Sequence, residues 1–287
     1  MATTLAADWA PTRPGRRHSP PRIGLRATVS HTAAITWRNL MQIPRNPQLL
    51  VFMVVQPIMF VVLFAYVFGG AIAVAGSNYR EFLLPGIMVQ TMVFSSAVVA
   101  MGLTSDLQKG FVDRFKSLPV PRPAVLVGRS ISSLIHSSIG IAVMAVTGLL
   151  IGWRIRNGVV DGVLAFLLLL LFGFAMIWLG IWVGSLMRTV EAVQGFMFTI
   201  MFPLTFVANT FVPTESMPAW LRTISEWNPV SALAQACREL WGNGLPAPAD
   251  AAWPLQHAVP VSIGWSFILT AIFAPLAVAA FRRRSRD

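Results

Sequence analysis

The stretch GVLAFLLLLLFGFAMIWLGIWVGSLM, residues 162–187, contains no Asp, Glu, Lys or Arg. A transmembrane helix needs about 20 apolar residues to cross a hydrocarbon core about 30 Å thick. A helix of a soluble domain needs a charged outer face. The window meets the first requirement and lacks the second. Five further windows read the same way, at 46–79, 82–105, 130–153, 192–214 and 251–281, and none of the six is shorter than 23 residues. They predict spans at about 49–69, 82–104, 130–152, 163–187, 192–212 and 260–281. The expected fold is an all-α integral membrane protein, with residues 31–284 forming one six-span domain behind a disordered, Arg/Pro-rich segment 1–30.

The charges between the windows set an orientation. The chain carries 22 basic and 11 acidic residues, a net charge of +11. With the first segment inside and sides alternating, the inner segments hold 17 basic residues: seven in 13–45, five in 109–129, Arg188, and four in the tail. The outer segments hold five (Arg80, Arg154, Arg156, Arg222 and Arg238) against six acids. This asymmetry follows the positive-inside rule and places both termini in the cytoplasm of a bacterial cell membrane. The basic excess then serves topology and contact with anionic lipid, with no nucleic acid partner expected. Residues 1–30 contain no apolar run of signal-peptide type, so the first span is expected to act as an uncleaved insertion signal. Cys237 is the sole cysteine, which excludes an intrachain disulfide and a thiolate metal site.

The connecting segments carry helical pattern of their own. His31–Ile43 groups Ala33, Ala34, Trp37, Leu40 and Met41 on one face, which predicts an interfacial helix ahead of the first span. In the polar inner loop 105–129, Leu107, Phe111, Phe115 and Leu118 recur at helical spacing and predict a short cytoplasmic helix. In the outer segment 213–259, Trp220, Leu221, Ile224 and Trp227 make one stripe. Asn228-Pro229 interrupts it, and Val230, Leu233, Ala234, Cys237 and Trp241 make a second. Two amphipathic helices with exposed Trp between spans predict a re-entrant hairpin dipping into the outer leaflet.

Catalytic chemistry finds little support. The four His residues lie in different segments without ligand spacing, and no catalytic or metal residue is assigned. His136 alone falls within a span, among Ser132, Ser133, Ser137 and Ser138, where a hydrogen-bonded packing role is expected. No window contains a carboxylate, so the buried acid relay of a proton-coupled carrier is missing. Lys109 and Lys116 follow Gln108 and Phe115, so there is no Gly-Lys phosphate loop. ATP, if it is the energy source, binds a separate subunit. Gly148-x-x-x-Gly152 and Gly180-x-x-x-Gly184 permit close helix contact. A membrane-embedded enzyme or scaffold is the alternative class, and an enzyme would be expected to cluster His, Asp or Glu near a membrane face.

Four stretches carry a family resemblance: Trp37-Arg38-Asn39-Leu40, Leu83 to Gln90, the inner loop Asp106 to Pro119, and the outer Asn209 to Pro213 continuing through Trp220-Leu221 to Asn228-Pro229-Val230. Over about residues 30–284 the chain resembles permease subunits of type-2 ABC exporters, nearest the daunorubicin/doxorubicin-resistance permease group. The resemblance implies two permeases, identical or closely homologous, and two ATPase subunits that hold ATP and Mg, with the inner loop docked on the ATPase. Thr104-Ser105-Asp106 and Gly110 stand where the importer docking loop has Glu-Ala-Ala and Gly, though the spacing onward to Pro119 is shorter. The expected coupling residues are Asp106, Gly110, Phe111, Asp113, Arg114 and Phe115. Pro203 frees a carbonyl in the fifth span, and Asn209-Thr210 end it with polar groups. Phe202, Phe206, Asn209 and Phe211 are therefore expected to form an outer gate or substrate path. The substrate expected for walls of Val, Leu, Phe and Met is a hydrophobic or amphipathic drug, antibiotic or lipid.

Overall fold

A computed structural model of the protein describes residues 47–67, 78–109, 122–244, 247–248 and 250–284. Over these residues it is α-helical, with no strand. The helices are α1 (Pro47–Val67), α2 (Tyr79–Gln108), α3 (Arg122–Leu150), α4 (Val159–Leu186), α5 (Val190–Phe206), α6 (Ala219–Glu226), α7 (Pro229–Trp241), α8 (Trp253–Gln256) and α9 (Ala258–Arg284). The segment 1–30, the predicted helix His31–Ile43, the Gly69-Gly70 end of the first span and most of the inner loop lie outside the described residues.

Among the described residues, four helices are long and apolar enough to cross a membrane: α2, α4, α9 and α3 from Leu126 onward. The apolar stretches Val54–Val67 of α1 and Val190–Phe206 of α5 are shorter. The fifth window predicts helix to about 212, whereas α5 ends at Phe206. Pro203 cannot donate to the ladder, Val207 closes the last turn on the Pro203 carbonyl at 3.0 Å, and residues 207–212 form turns. At the inner side the helices run past the predicted membrane limits. α2 continues to Gln108 and α3 starts at Arg122, so both helices reach into the expected loop 105–129. Charge does not end these helices, because Asp106 and Arg129 pair with each other.

α4 is the hub, packed along both α2 and α9. Gly180 and Gly184 make the α2 contact possible. A Cβ on Gly180 would lie 2.2 Å from the Ser96 carbonyl oxygen, and one on Gly184 would lie 2.6 Å from that of Ala100. Between membrane helices, where burying apolar surface from lipid gains little, such close backbone approach supplies the packing energy. The other glycine pair splits its roles. Gly148 packs on Leu84, while Gly152 turns the chain at φ +103° with open space around it. Apolar side chains left exposed on α1, α3, α5 and α9, such as Met59, Val146, Phe206 and Phe267, form the outward face of the bundle.

The outer segment folds as its two stripes predict, with different burial. Asn228 caps α7 by accepting from Val230 N at 2.9 Å, Pro229 opens the helix, and Gly242 closes it at φ +68°. α7 is a core helix packed on α9, α4 and α2, and Trp241 is fully buried rather than exposed. Its indole stands edge-on to Trp153, with ring centroids 5.1 Å apart, and donates to the Gly162 carbonyl at 3.2 Å. α6 keeps the exposed Trp face: Trp220, Ile224 and Trp227 point outward, joined by Trp253. Its other face holds Arg222 between Glu226 (2.7 Å) and Asp250 (3.0 Å).

Candidate functional site

Phe198, Phe202 and Phe206 recur every fourth residue on α5, so the helix sets their rings in one row. Neighbouring centroids are 5.4 and 5.6 Å apart with planes within about 30°. The row extends through Phe211 (5.3 Å) to Phe64 (5.0 Å) and Phe60 (4.6 Å) on α1. On the other side Phe94 of α2 meets Phe202 edge-on at 5.3 Å. A continuous aromatic ribbon therefore joins α2, α5 and α1. Phe202 and Phe206 are 45% and 53% exposed, while Phe211 is buried. Three of the four predicted gate residues thus share one ribbon.

Asn209, the fourth, is buried beside the ribbon in the segment 209–211. This stretch of backbone follows a broken helix end, and side chains from other elements satisfy it. Asn209 N donates to Ser231 Oγ at 3.0 Å. Tyr79 donates its hydroxyl to the Phe211 carbonyl at 3.2 Å. Arg238 donates through Nη2 to the Asn209 carbonyl at 2.7 Å and the Thr210 carbonyl at 3.3 Å, and through Nε to the Phe82 carbonyl at 2.9 Å. One step earlier, Asn228 Nδ2 reaches the Leu204 carbonyl at 2.7 Å. Gly86 of α2 presses on the same segment, because a Cβ there would lie 2.1 Å from the Thr210 oxygen.

Arg238 is the functional candidate that sequence reasoning placed elsewhere, among the solvated outer cations. It is 1% exposed, lies over the Phe82 ring at 3.6 Å, and forms no ion pair among the described residues. Burial pushes its pKa down, to about 9, which leaves it charged at neutral pH. Nη1 of Arg238 and Oδ1 of Asn209 are both buried without a hydrogen-bond partner. The one sequence signal was position: Arg238 sits within the second stripe, between Cys237 and Trp241. The neighbouring Cys237 thiol is driven up by burial and stays protonated. That matches an inert packing role.

At the inner side, Asp106 is the one predicted coupling residue among the described residues, since Gly110, Phe111, Asp113, Arg114 and Phe115 fall outside them. Its carboxylate accepts from Arg129, tying the last turn of α2 to the first turns of α3. Gly102 makes the slot for that guanidinium, as a Cβ there would lie 2.6 Å from Nη2. The end of α4 is capped from two sides. Thr104 Oγ1 donates to the Gly184 carbonyl at 2.9 Å, Gln108 Nε2 donates to that of Arg188 at 3.0 Å, and Arg284 of α9 donates to the Met187 carbonyl. A cation at a helix C-terminus meets the negative end of the helix dipole. Ser132 and Ser138, near His136 in the sequence, donate to the carbonyls of Arg129 and Ile135 in their own helix.

Residues 30–240 match the family model of the ABC-2 type transporter. The chain is 35% identical over 261 residues to the daunorubicin resistance ABC transporter permease protein DrrB1 of Streptomyces coeruleorubidus, covering 91% of this chain and 89% of that protein. It is 26% identical over 272 residues to the probable doxorubicin resistance ABC transporter permease protein DrrC of Mycobacterium tuberculosis, covering 92% and 96%. A putative transport permease of Cyanophora paradoxa is 26% identical over 253 residues, covering 86% of each. With its apolar helices long enough to cross a bilayer, the chain belongs to the ABC-2 type transporter family and is a membrane permease of the ABC exporter type.

Proposed function

We propose that this permease carries a hydrophobic or amphipathic compound outward across the bacterial cell membrane, with a second copy or close homologue beside it and a separate ATPase supplying ATP hydrolysis. The observation that carries the reading is the aromatic ribbon on α5 and α1. Its outer rings, Phe202 and Phe206, keep about half of their surface exposed, 45% and 53%. A facing permease would cover them and leave an apolar, polarisable path between the copies, suited to flat amphipathic molecules. The relatives named for daunorubicin and doxorubicin resistance support such a substrate class. In this reading α1 and α5 complete six spans, both termini are cytoplasmic, and α6 lies in the outer interface.

Asp106 acts from within the bundle, where its bond to Arg129 holds the base of the inner loop. Phe111 and Phe115, with Gly110, Asp113 and Arg114, contact the ATPase. Replacing a buried anchor aromatic with Ala commonly costs upward of about 2 kcal/mol at an interface. Phe111→Ala and Phe115→Ala therefore reduce co-purification of the ATPase and transport-linked hydrolysis while insertion is normal. The gate is tested by export per folded molecule in Phe206→Ala and Asn209→Ala. A changed range of exported compounds, or hydrolysis without export, supports it. Constant activity per folded molecule overturns it.

A further inference from the structure

We propose that Arg238 is the positioning residue of the outer gate: from the hairpin helix α7 it pins segment 209–211 in the closed arrangement, and outward opening breaks its bonds to the Asn209 and Thr210 carbonyls. The inference rests on the gate reading and adds the group that holds the gate shut.

Three observations carry it. The first is the division of the guanidinium's bonds. Nε is held by the Phe82 carbonyl on α2, whereas Nη2 alone holds the Asn209 and Thr210 carbonyls that follow α5. The fixed side and the releasable side are separate atoms, so 209–211 can leave while Arg238 stays anchored under the Phe82 ring. The second is electrostatic. A buried ion pair is often no more stabilising than an apolar replacement, and a buried cation without a carboxylate is costlier still. Arg238 has carbonyl partners and a ring, with Nη1 unpartnered, as is Oδ1 of Asn209 across the same junction. The third is the backbone itself. Residues 207–212 are turns rather than helix, bounded by Pro203 and Pro213, so rotation there breaks no helical ladder. The ribbon residue Phe211 sits on this segment, so moving it separates Phe206 from Phe64.

The test uses intact cells expressing the permease with its ATPase. Ala208→Cys, in a Cys237→Ala background, places a thiol at a fully buried position immediately before the segment. Ala165→Cys, equally buried on the outer part of α4, is the control. An impermeant maleimide is applied from outside. With Arg238 intact, the thiol at 208 is protected and its labelling rises only during ATP turnover. Arg238→Lys keeps the charge but cannot span both sides of the junction. Labelling at 208 then rises about tenfold or more, the scale expected for losing one charged hydrogen bond, and becomes independent of ATP, while labelling at 165 does not change. Tyr79→Phe and Ser231→Ala each delete one bond to the same segment and give smaller increases in the same direction. They decide the matter if the Lys variant does not accumulate. Unchanged labelling at 208 in these variants, or a parallel rise at 165, overturns the pin. Faster labelling at 208 together with constant export in Phe206→Ala and Asn209→Ala keeps the pin and removes the gate, so the two ideas fail separately.

Discussion

The outer and inner ends of α2 are both held by an arginine from another helix, and the two arrangements differ in kind. At the inner end Arg129 meets a carboxylate, Asp106, and both side chains keep partial exposure, 20% and 39%. At the outer end Arg238 is fully buried and meets carbonyls and the Phe82 ring. The inner contact joins two continuous helices, whereas the outer one joins a helix to a run of turns. A compensated pair between rigid elements transmits motion as a unit. The cation on α7 holds α2 through Nε and the run of turns through Nη2, two separate attachments. In the gate proposal, the pair at the inner end serves coupling and the cation at the outer end serves opening.

The strongest way to break this contrast is steric. Gly86→Ala drives a Cβ to 2.1 Å from the Thr210 carbonyl, which is backbone and cannot yield. We expect a loss of about 1–3 kcal/mol, seen as a large fall in the thermal midpoint of the purified permease. Gly102→Ala meets the far end of the Arg129 side chain at 2.6 Å. That group can shift, and alanine's better helix propensity offsets about 1 kcal/mol of the cost. Its midpoint should move little. Equal losses would mean that the inner slot is as rigid as the outer one.

A double-mutant cycle sharpens the electrostatic half. Asp106→Asn combined with Arg129→Gln should yield a coupling energy of up to about 1 kcal/mol, the range for partly exposed pairs. Glu215 is the nearest acidic influence on Arg238 and is itself exposed. Glu215→Gln combined with Arg238→Lys should give coupling near zero. Coupling above that of the inner pair would show the outer cation to be compensated after all.

Glu239, one residue beyond Arg238, provides a pH handle. Burial raises its carboxyl above the ordinary 4.5, with a smaller opposing contribution from the Gln235 hydrogen bond. A folded-state pKa that is raised favours the folded protein below the unfolded value, and the advantage is lost as pH rises through the folded value. Stability should decline from about pH 4.5 upward over that interval. Glu239→Gln should remove this decline and be slightly more stable than the parent at neutral pH. Unfolding midpoints measured across the interval check it. A decline of equal size in the Gln variant would assign the effect to another group.

The smallest expected effect is on α6. Trp220→Ala and Trp227→Ala remove exposed rings and should change stability by less than about 0.5 kcal/mol. In lipid vesicles, however, quenchers placed at headgroup depth should act more weakly on the tryptophan emission of these variants. Unaltered quenching would put α6 in water.

Much of this was legible in the order of residues. Charge-free windows marked the helices, and the stripes of 219–226 and 229–241 marked the outer pair, with Asn228-Pro229 between them as cap and first turn. Gly180 and Gly184 announced a close crossing and form one with α2. Phe198, Phe202 and Phe206 lie on one face by spacing alone. The end of α5 was misplaced because a window free of charge continues through Pro203 to 212, and hydropathy does not register a missing N–H. Trp241 was read as an exposed interfacial ring because an amphipathic stripe fits membrane and protein core equally well.

Helix type, the long apolar segments and family membership follow from the sequence by itself, because bilayer thickness and backbone hydrogen bonding act on composition along a single segment. The partners of Arg238, the Gly86 contact with Thr210 and the closing of the phenylalanine ribbon through Phe211 to α1 were decided by tertiary structure alone. Each depends on residues at least 28 positions apart reaching within a few ångströms. Local pattern assigns a cation to water by default; only the packing of α7 against α2 and the end of α5 buries this one and gives it carbonyls to hold.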